Sequence, residues 1–332
     1  MIFSLRFNND LPVRDYMRYA RAAEAAGFDQ FWVSNDLFLR SASVILTAIA
    51  TATERIQIGS CIFNPYTLHT AELAMFAATL DEYSDGRFLL GLSAGAADFL
   101  RWLGIEQGLP RTTVVEAAQA INKLTAGENA QTQGKALQWT NEAWLRFPVR
   151  RRVPIYLGAM SPRMLEEIGA LADGGLPLLF PPEHYAGVLP HIQRGLARAG
   201  RSLADIDLAA CIWCSVADDQ RAAEATLAEK IAYYGHAMSP LILSRLGLSR
   251  ADFEPIRRAW HVEGDVAKAR DMVTPAMLRI GIAGTDSDLI ERLEGLVAMG
   301  ARHISFGPPL GPDILAAIQT LGRQALPHFR QT

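Results

Sequence analysis

A β-prone run, a turn and an amphipathic helix follow one another about eight times along this chain, and that alternation leaves few folds open. Ile2 to Phe7 is an apolar strand. Pro12 suits a first helical turn, and Val13, Tyr16, Met17, Ala20 and Ala23 then recur at helical spacing until Gly27 ends the helix. The same alternation gives strands over Gln30–Ser34, Ile56–Ile62 and Arg87–Leu92, with helices over Ser43–Thr53 and His69–Tyr83. After a helix over Thr112–Thr125, residues 134–147 read as a hairpin-like excursion. A fifth strand over Pro154–Leu157 leads to a helix over Pro162–Leu171. A sixth over Leu176–Phe180 leads to a helix from about Glu183 to Ala199, and a seventh spans Ile206–Val216. Residues 219–283 read as a helical insertion. Thr285 then caps a helix to Met299, with Asp288 placed to answer it three residues on. His303–Phe306 is the eighth strand, and Ile314, Leu315, Ile318 and Leu321 mark a closing helix.

Eight such units predict a single α/β domain, a (β/α)8 TIM-type barrel over 1–332 with insertions after strands four and seven. An open dinucleotide-binding sheet is the competing architecture. The first strand–helix turn lacks G-x-G-x-x-G, and Gly91-Leu-Ser-Ala-Gly95 has the wrong spacing for it. Half of the 332 residues are hydrophobic, enough for a large core. The net charge of −3 gives no positive field for nucleic acid or an anionic membrane surface. No apolar run reaches the ~18 residues of a membrane span, and Met1–Phe7 has no basic segment ahead of an apolar stretch. A cytoplasmic enzyme acting on a small molecule is the expectation. Three cysteines make no disulfide framework. Cys211 and Cys214 stand at i and i+3 of a strand and so point to opposite faces. His69, His184 and His303 lack metal-ligand spacing; they read as surface or supporting residues, with no metal expected. The run Arg150-Arg151-Arg152 reads as solvated, or as a guide for an anionic cofactor tail.

In such a barrel chemistry sits just after the strands. The loops there are Asn35-Asp36, Ser60–His69, Ser93–Asp98, Gly158–Arg163, Phe180–Tyr185, Ser215 and Gly307–Gly311. The run Gly59-Ser-Cys-Ile-Phe-Asn-Pro-Tyr-Thr-Leu-His69, then Thr79-Leu-Asp-Glu-Tyr-Ser-Asp-Gly-Arg87 with Leu90-Gly91, resembles the luciferase-like family of flavin and deazaflavin oxidoreductases. Within it the resemblance is strongest to the coenzyme F420-dependent methylene-tetrahydromethanopterin reductases. Further matching pieces are Ala22–Phe28 with Trp32, Leu103-Gly-Ile-Glu106, Gly158–Leu165, Ala209–Ser215 and Gly307–Asp313.

The resemblance implies that Ser60, Cys61 and Ile62 form a bulge with a non-prolyl cis peptide behind the deazaflavin ring, and that amides of Gly158, Ala159, Met160 and Ser161 hold the cofactor phosphate. The first turn of the following helix, opened by Pro162, favours an anion there, although Ser161 could equally be a plain helix cap. Ser93 joins the cofactor wall, and Asn35 can give and accept hydrogen bonds at the ring edge. Three positions depart from the reductases: their strand-one glutamate is Arg6 here, their aspartate–histidine pair is Asn35-Asp36, and an acid after the fourth strand is Ala96. The catalytic candidates are therefore Asp36, as proton donor, and Arg6. A buried Arg6 needs an anion, and Asp36 is its expected partner in the resting enzyme. Trp213 and Ser215 share a strand face, as a ligand wall or as core. The resemblance implies a coenzyme F420-dependent hydride transfer to or from a small C=N or C=C substrate and a homodimer or higher homo-oligomer. An FMN-dependent monooxygenase and a catalytically silent flavin-binding barrel are the alternatives.

Overall fold

The computed structural model describes residues 1–330. Eight parallel strands close on themselves in the order expected: β1 (Ile2–Phe7), β2 (Gln30–Val33), β3 (Gln57–Ser60), β4 (Phe88–Leu92), β5 (Ile155–Leu157), β6 (Gly174–Gly175), β7 (Asp207–Val216) and β8 (His303–Leu310). The pairing β8–β1 (Ile2 opposite His303) and the pairing β6–β7 (Gly175 opposite Leu208) complete the ring. Around it run α1 (Val13–Ala25), α2 (Ala42–Ala52), α3 (Thr70–Tyr83), α4 (Pro110–Thr125), α5 (Pro162–Leu171), α6 (Tyr185–Arg198), α7 (Asp286–Ala298) and α8 (Ile314–Thr320). Thr285 and Asp288 form the reciprocal cap of α7 that their spacing predicts: the Thr285 amide donates to Asp288 Oδ2 at 2.8 Å and the Asp288 amide to Thr285 Oγ1 at 3.4 Å.

Strand alternation sorts the core. Phe3, Leu5 and Phe7 of β1 face the helices with Phe31, Leu90, Ile212 and Phe306, while Ser4 and Arg6 face the barrel axis. Trp32 and Tyr156 fill the axis, their rings 5.0 Å apart at 63°. Glycines opposite make that possible: a Cβ on Gly59 would lie 2.2 Å from the Trp32 ring, and one on Gly174 would lie 2.1 Å from the Tyr156 ring. Cys211 lies in this inner cluster and Cys214 in the outer one, so the two thiols are separated by the sheet itself.

Two elements differ from expectation. The sixth strand, expected at Leu176–Phe180, is Gly174–Gly175 followed by a lone bridge from Leu178 to Cys211. Pro177 has no amide to give a ladder, which is why regular pairing stops there. The end of the expected helical insertion is a strand, Ile282–Gly284, paired with Cys214–Val216. The rest of that insertion is helical: Gln220–Tyr234, Pro240–Arg245, Arg250–His261, Val266–Asp271 and Pro275–Leu278. It has its own apolar core of Leu227, Ile231, Phe253, Ile256 and Ile280, which reaches the barrel at Phe180 and Trp213. The excursion after α4 is a small antiparallel ribbon, Thr132–Gln133 with Gln138–Trp139, whose turn amides at Lys135, Ala136 and Leu137 donate to Glu116. Among the described residues no helix is long and apolar enough to cross a membrane.

Candidate active site

The C-terminal end of the barrel brings most of the expected residues together. Behind it, Ser60 Oγ donates to the Gly91 carbonyl at 3.1 Å and accepts from the Gly91 amide at 3.0 Å, locking β3 to β4. The chain then leaves β3 through a cis peptide between Cys61 and Ile62. A Cβ placed on Gly158 would meet Ile62 Cγ2 at 3.1 Å and Ser93 Cβ at 3.3 Å. Ile62, Ser93 and Gly158, drawn from three strand ends, thus meet in one surface that has no room for another side chain. The half-buried Cys61 thiol is pushed up to about 12, chiefly by burial, so it stays a neutral thiol.

The turn after β5 carries Gly158, the buried Ala159, and the exposed Met160 and Ser161. Ser161 occupies the N-cap position of α5 without a side-chain cap, so the first amides of that helix keep their donors free. Met160 and Ala159 also line a small cavity of about 30 Å³ with His184, Ser239 and Arg245. Burial, together with the charge of Arg245, holds His184 down to about 4.

Asp36 sits at the rim beyond β2. Its position is set by Asn9, fully buried, whose Oδ1 accepts the Asp36 amide at 3.0 Å and whose Nδ2 donates to the Asp36 carbonyl at 3.0 Å. Burial raises the Asp36 pKa, against the opposing pull of a hydrogen bond from Ser34 Oγ at 3.2 Å and the nearby charge of Lys230. Asn35 Oδ1 accepts the Ala42 amide at 3.4 Å at the start of α2, a local bond that aims the side chain at the helix.

Arg6 overturns one expectation. It makes no ion pair with Asp36. Its Nε donates to Ser305 Oγ at 3.1 Å and one Nη donates to the Ile212 carbonyl at 2.7 Å. The physical reason is that the inward row of β1 stacks Arg6 against β8, where Gly307 has no side chain: a Cβ there would fall 2.4 Å from the guanidinium. Beneath Arg6 an unbroken hydrogen-bonded chain runs down the barrel axis, from Ser305 to Ser4 (2.8 Å), His303 (2.7 Å) and Asp207 (2.8 Å). Asp207 also accepts from Tyr156 at 2.8 Å and Gln30 at 3.1 Å. Burial opposes its ionisation, but His303, Tyr156 and Gln30 together hold its pKa below the usual carboxylate value. His303, expected at the surface or in support of the site, is fully buried inside this chain.

Sequence reasoning missed Lys230. It lies on the insertion helix Gln220–Tyr234, its ammonium 4.2 Å from the Tyr234 ring centre and 5.5 Å from that of Trp213. Burial, with Arg6 adding to it, lowers its pKa to about 8, although Asp10 and Asp36 pull the other way. The i, i+4 spacing of Lys230 and Tyr234 was its only trace in the sequence. Trp213 is 8 % exposed and packs edge-on against Phe180, so it serves the insertion's core while presenting one face to Lys230. The three arginines 150–152 lie at the opposite end of the barrel. They remain solvent-exposed, as their run suggests, while pairing with Asp85, Asp81 and Asp173, respectively, and they lie away from the site. Among the described residues no group of three or more His, Cys, Asp or Glu side chains could hold a metal.

Comparison with known proteins agrees with this architecture. The family model of luciferase-like monooxygenases matches residues 4–303. The 5,10-methylenetetrahydromethanopterin reductase of Archaeoglobus fulgidus is 31% identical over 99% of this chain and 100% of its own. The F420-dependent glucose-6-phosphate dehydrogenase of Microbacterium testaceum is 29% identical, covering 93% of this chain and 91% of its own. The structure of the coenzyme F420-dependent tetrahydromethanopterin reductase from Methanopyrus kandleri superposes with a TM-score of 0.91 at 28% identity, covering 99% of each chain.

Proposed function

This chain belongs to the luciferase-like family of flavin and deazaflavin oxidoreductases, and from that premise we propose that it is a coenzyme F420-dependent enzyme exchanging a hydride with a small C=N or C=C substrate. One observation carries the reading: the Ile62 and Ser93 side chains close on the bare Cα of Gly158 beside the uncapped start of α5, which supports a backrest for a planar ring next to amides free for a phosphate tail. When bound, the deazaflavin supplies the hydride. The residues that would hold it are Asn35, Ser60, Cys61, Ile62, Ser93, Gly158, Ala159, Met160 and Ser161.

Asp36 is the proton donor in this scheme. Desolvation lifts its pKa toward working pH, and Asn9 fixes its backbone at the rim. Arg6, fixed by Ser305 and the Ile212 carbonyl, supplies a stationary positive charge at the mouth. The substrate differs from that named for the Archaeoglobus fulgidus relative, because Arg6, Asn35-Asp36 and Ala96 replace acids and a histidine that the reductase subgroup carries.

The test is a titration of the purified protein with coenzyme F420 and, separately, with FMN, followed by fluorescence. Micromolar or tighter binding of F420 is expected. Binding of FMN alone would replace this reading with a flavin monooxygenase, and binding of neither would make the barrel catalytically silent.

A further inference from the structure

Among the described residues the fully buried carboxylates are matched by arginines: Asp81, 1 % exposed, is held by Arg151, and Glu167 by Arg111 and Arg198. Arg6 has no such partner. It is 6 % exposed, yet both of its hydrogen bonds go to uncharged acceptors. A guanidinium has five N–H groups; with two engaged, three are left without a protein acceptor. The carboxylate tied to it through hydrogen bonds, Asp207, stands at the far end of the chain through Ser305, Ser4 and His303. That arrangement anchors Arg6 from below and leaves its upper side uncompensated, a costly state unless an anion arrives.

A second cation shares the mouth. Lys230 makes no ion pair and no hydrogen bond among the described residues; its ammonium rests on the faces of Tyr234 and Trp213. Ring faces attract the charge but accept none of its three N–H donors well. Lys230 and Arg6 meet adjacent residues of β7, Arg6 donating to the Ile212 carbonyl at 2.7 Å and Lys230 lying 5.5 Å from the Trp213 ring centre, and Arg6, Asp36 and Asp10 all act on the Lys230 ionisation. Two residues beyond Trp213 on the same strand face, the Ser215 hydroxyl is fully buried with no partner. Two cations without a charged partner and an orphaned hydroxyl thus gather along β7, Arg6 at Ile212, Lys230 over Trp213 and the hydroxyl at Ser215, with Asp36 close enough to Lys230 to act on it.

We propose that Arg6 and Lys230 form an anion subsite that binds the carboxylate or phosphate of the substrate and so aims its reacting carbon past Asp36. The assignment to a substrate rests on the hydride-transfer reading above; the anion subsite itself does not. Arg6 acts through rigid placement from the barrel floor, and Lys230 closes from the insertion.

Calorimetric titration of sodium acetate, inorganic phosphate and neutral acetamide, at constant ionic strength, tests this on the intact protein with and without saturating F420. Acetate or phosphate should bind and acetamide should not; whichever anion binds more tightly names the substrate's group. Lys230→Gln should weaken the anion about tenfold or more, the size of a charged hydrogen bond, and Lys230→Arg should restore most of it. Lys230 lies on a half-buried helix face, so this variant avoids the folding risk of Arg6→Gln, for which the same loss is expected. Equal binding of acetamide, or an unchanged affinity in Lys230→Gln, overturns the subsite. Displacement of the anion by F420 gives the cations to the cofactor and overturns the substrate assignment. Anion binding by a protein that ignores F420 would leave the subsite standing and remove the hydride-transfer reading alone.

Discussion

Replacing Gly91 with alanine should damage the cofactor surface by forcing β3 and β4 apart. The new Cβ would lie 1.9 Å from the Ser60 carbonyl oxygen and 3.4 Å from Ile62 Cγ2. Restoring an ordinary contact of at least 3.4 Å asks β3 and β4 to part by about 1.5 Å. That parting strains the two Ser60–Gly91 hydrogen bonds and the bond from the Phe63 amide to the Gly91 carbonyl at 2.9 Å. Overpacking alone costs about 1–3 kcal/mol, and losing two buried bonds adds about 1 kcal/mol each. A loss of about 3–5 kcal/mol is thus expected, a large share of a typical total of about 5–15 kcal/mol. Urea unfolding followed by tryptophan fluorescence reads this directly, and F420 titration should show at least a tenfold weaker complex because Ile62 moves with the strand. The internal control is Gly295→Ala in the middle of α7, where an added Cβ meets nothing within 4 Å; it should stabilise by about 0.5–1 kcal/mol. A Gly91→Ala protein with unchanged urea midpoint and unchanged F420 affinity would refute the claim that backbone closeness at β3–β4 shapes the site.

Asp36→Asn should separate stability from activity. The folded pKa of Asp36 is raised, so its contribution to stability is complete below the unfolded value of about 3.9 and is lost as pH rises through the folded value. At pH 7 the amide should therefore melt no lower than wild type, while turnover falls about 10²–10⁴-fold; a markedly lower melting temperature or intact turnover contradicts the assignment. In wild type the reductive rate should decline with rising pH through a value above the ordinary aspartate range, and a pH–rate profile flat across that region would discard Asp36 as the acid. His303→Ala should cost about 3 kcal/mol by unseating Asp207 and Ser4, and should flatten the acid limb of stability, because Asp207 loses a partner that holds its pKa down. The lowered pKa of Asp207 gives stability that is present above its unfolded value and lost as pH falls through the folded one, which acid titration by circular dichroism can follow. Gly158→Val should weaken F420 at least tenfold and cost about 1–3 kcal/mol of stability, since the added atoms meet Ile62 and Ser93; unchanged affinity in the folded variant would move the ring elsewhere.

The barrel was legible because its strands are short apolar runs set between helices with a period near four, and because Thr285 and Asp288 announce a cap in sequence. What escaped had no period to show. Gly174–Gly175 is a strand made by its neighbours, where glycine is required to admit Tyr156, and no propensity scale marks two glycines as β. Ile282–Gly284 is too short to signal and pairs only because β7 outruns its partners. The loop residues Asp36, Ser93 and Gly158 could be placed because strand ends fix them. Arg6 was located correctly but given the wrong partner: sequence distance favoured the acid after the next strand, whereas the closed sheet offered Ser305, nearly three hundred residues away. Lys230 lay beyond reach for the same reason, since its role depends on how an insertion folds back over the mouth.

Trp32 and Tyr156, wedged across the axis against Gly59 and Gly174, make the barrel a blind well. A redox ring and a substrate seated at the mouth, as proposed, would share one doorway, so the deeper guest would have to enter first and leave last.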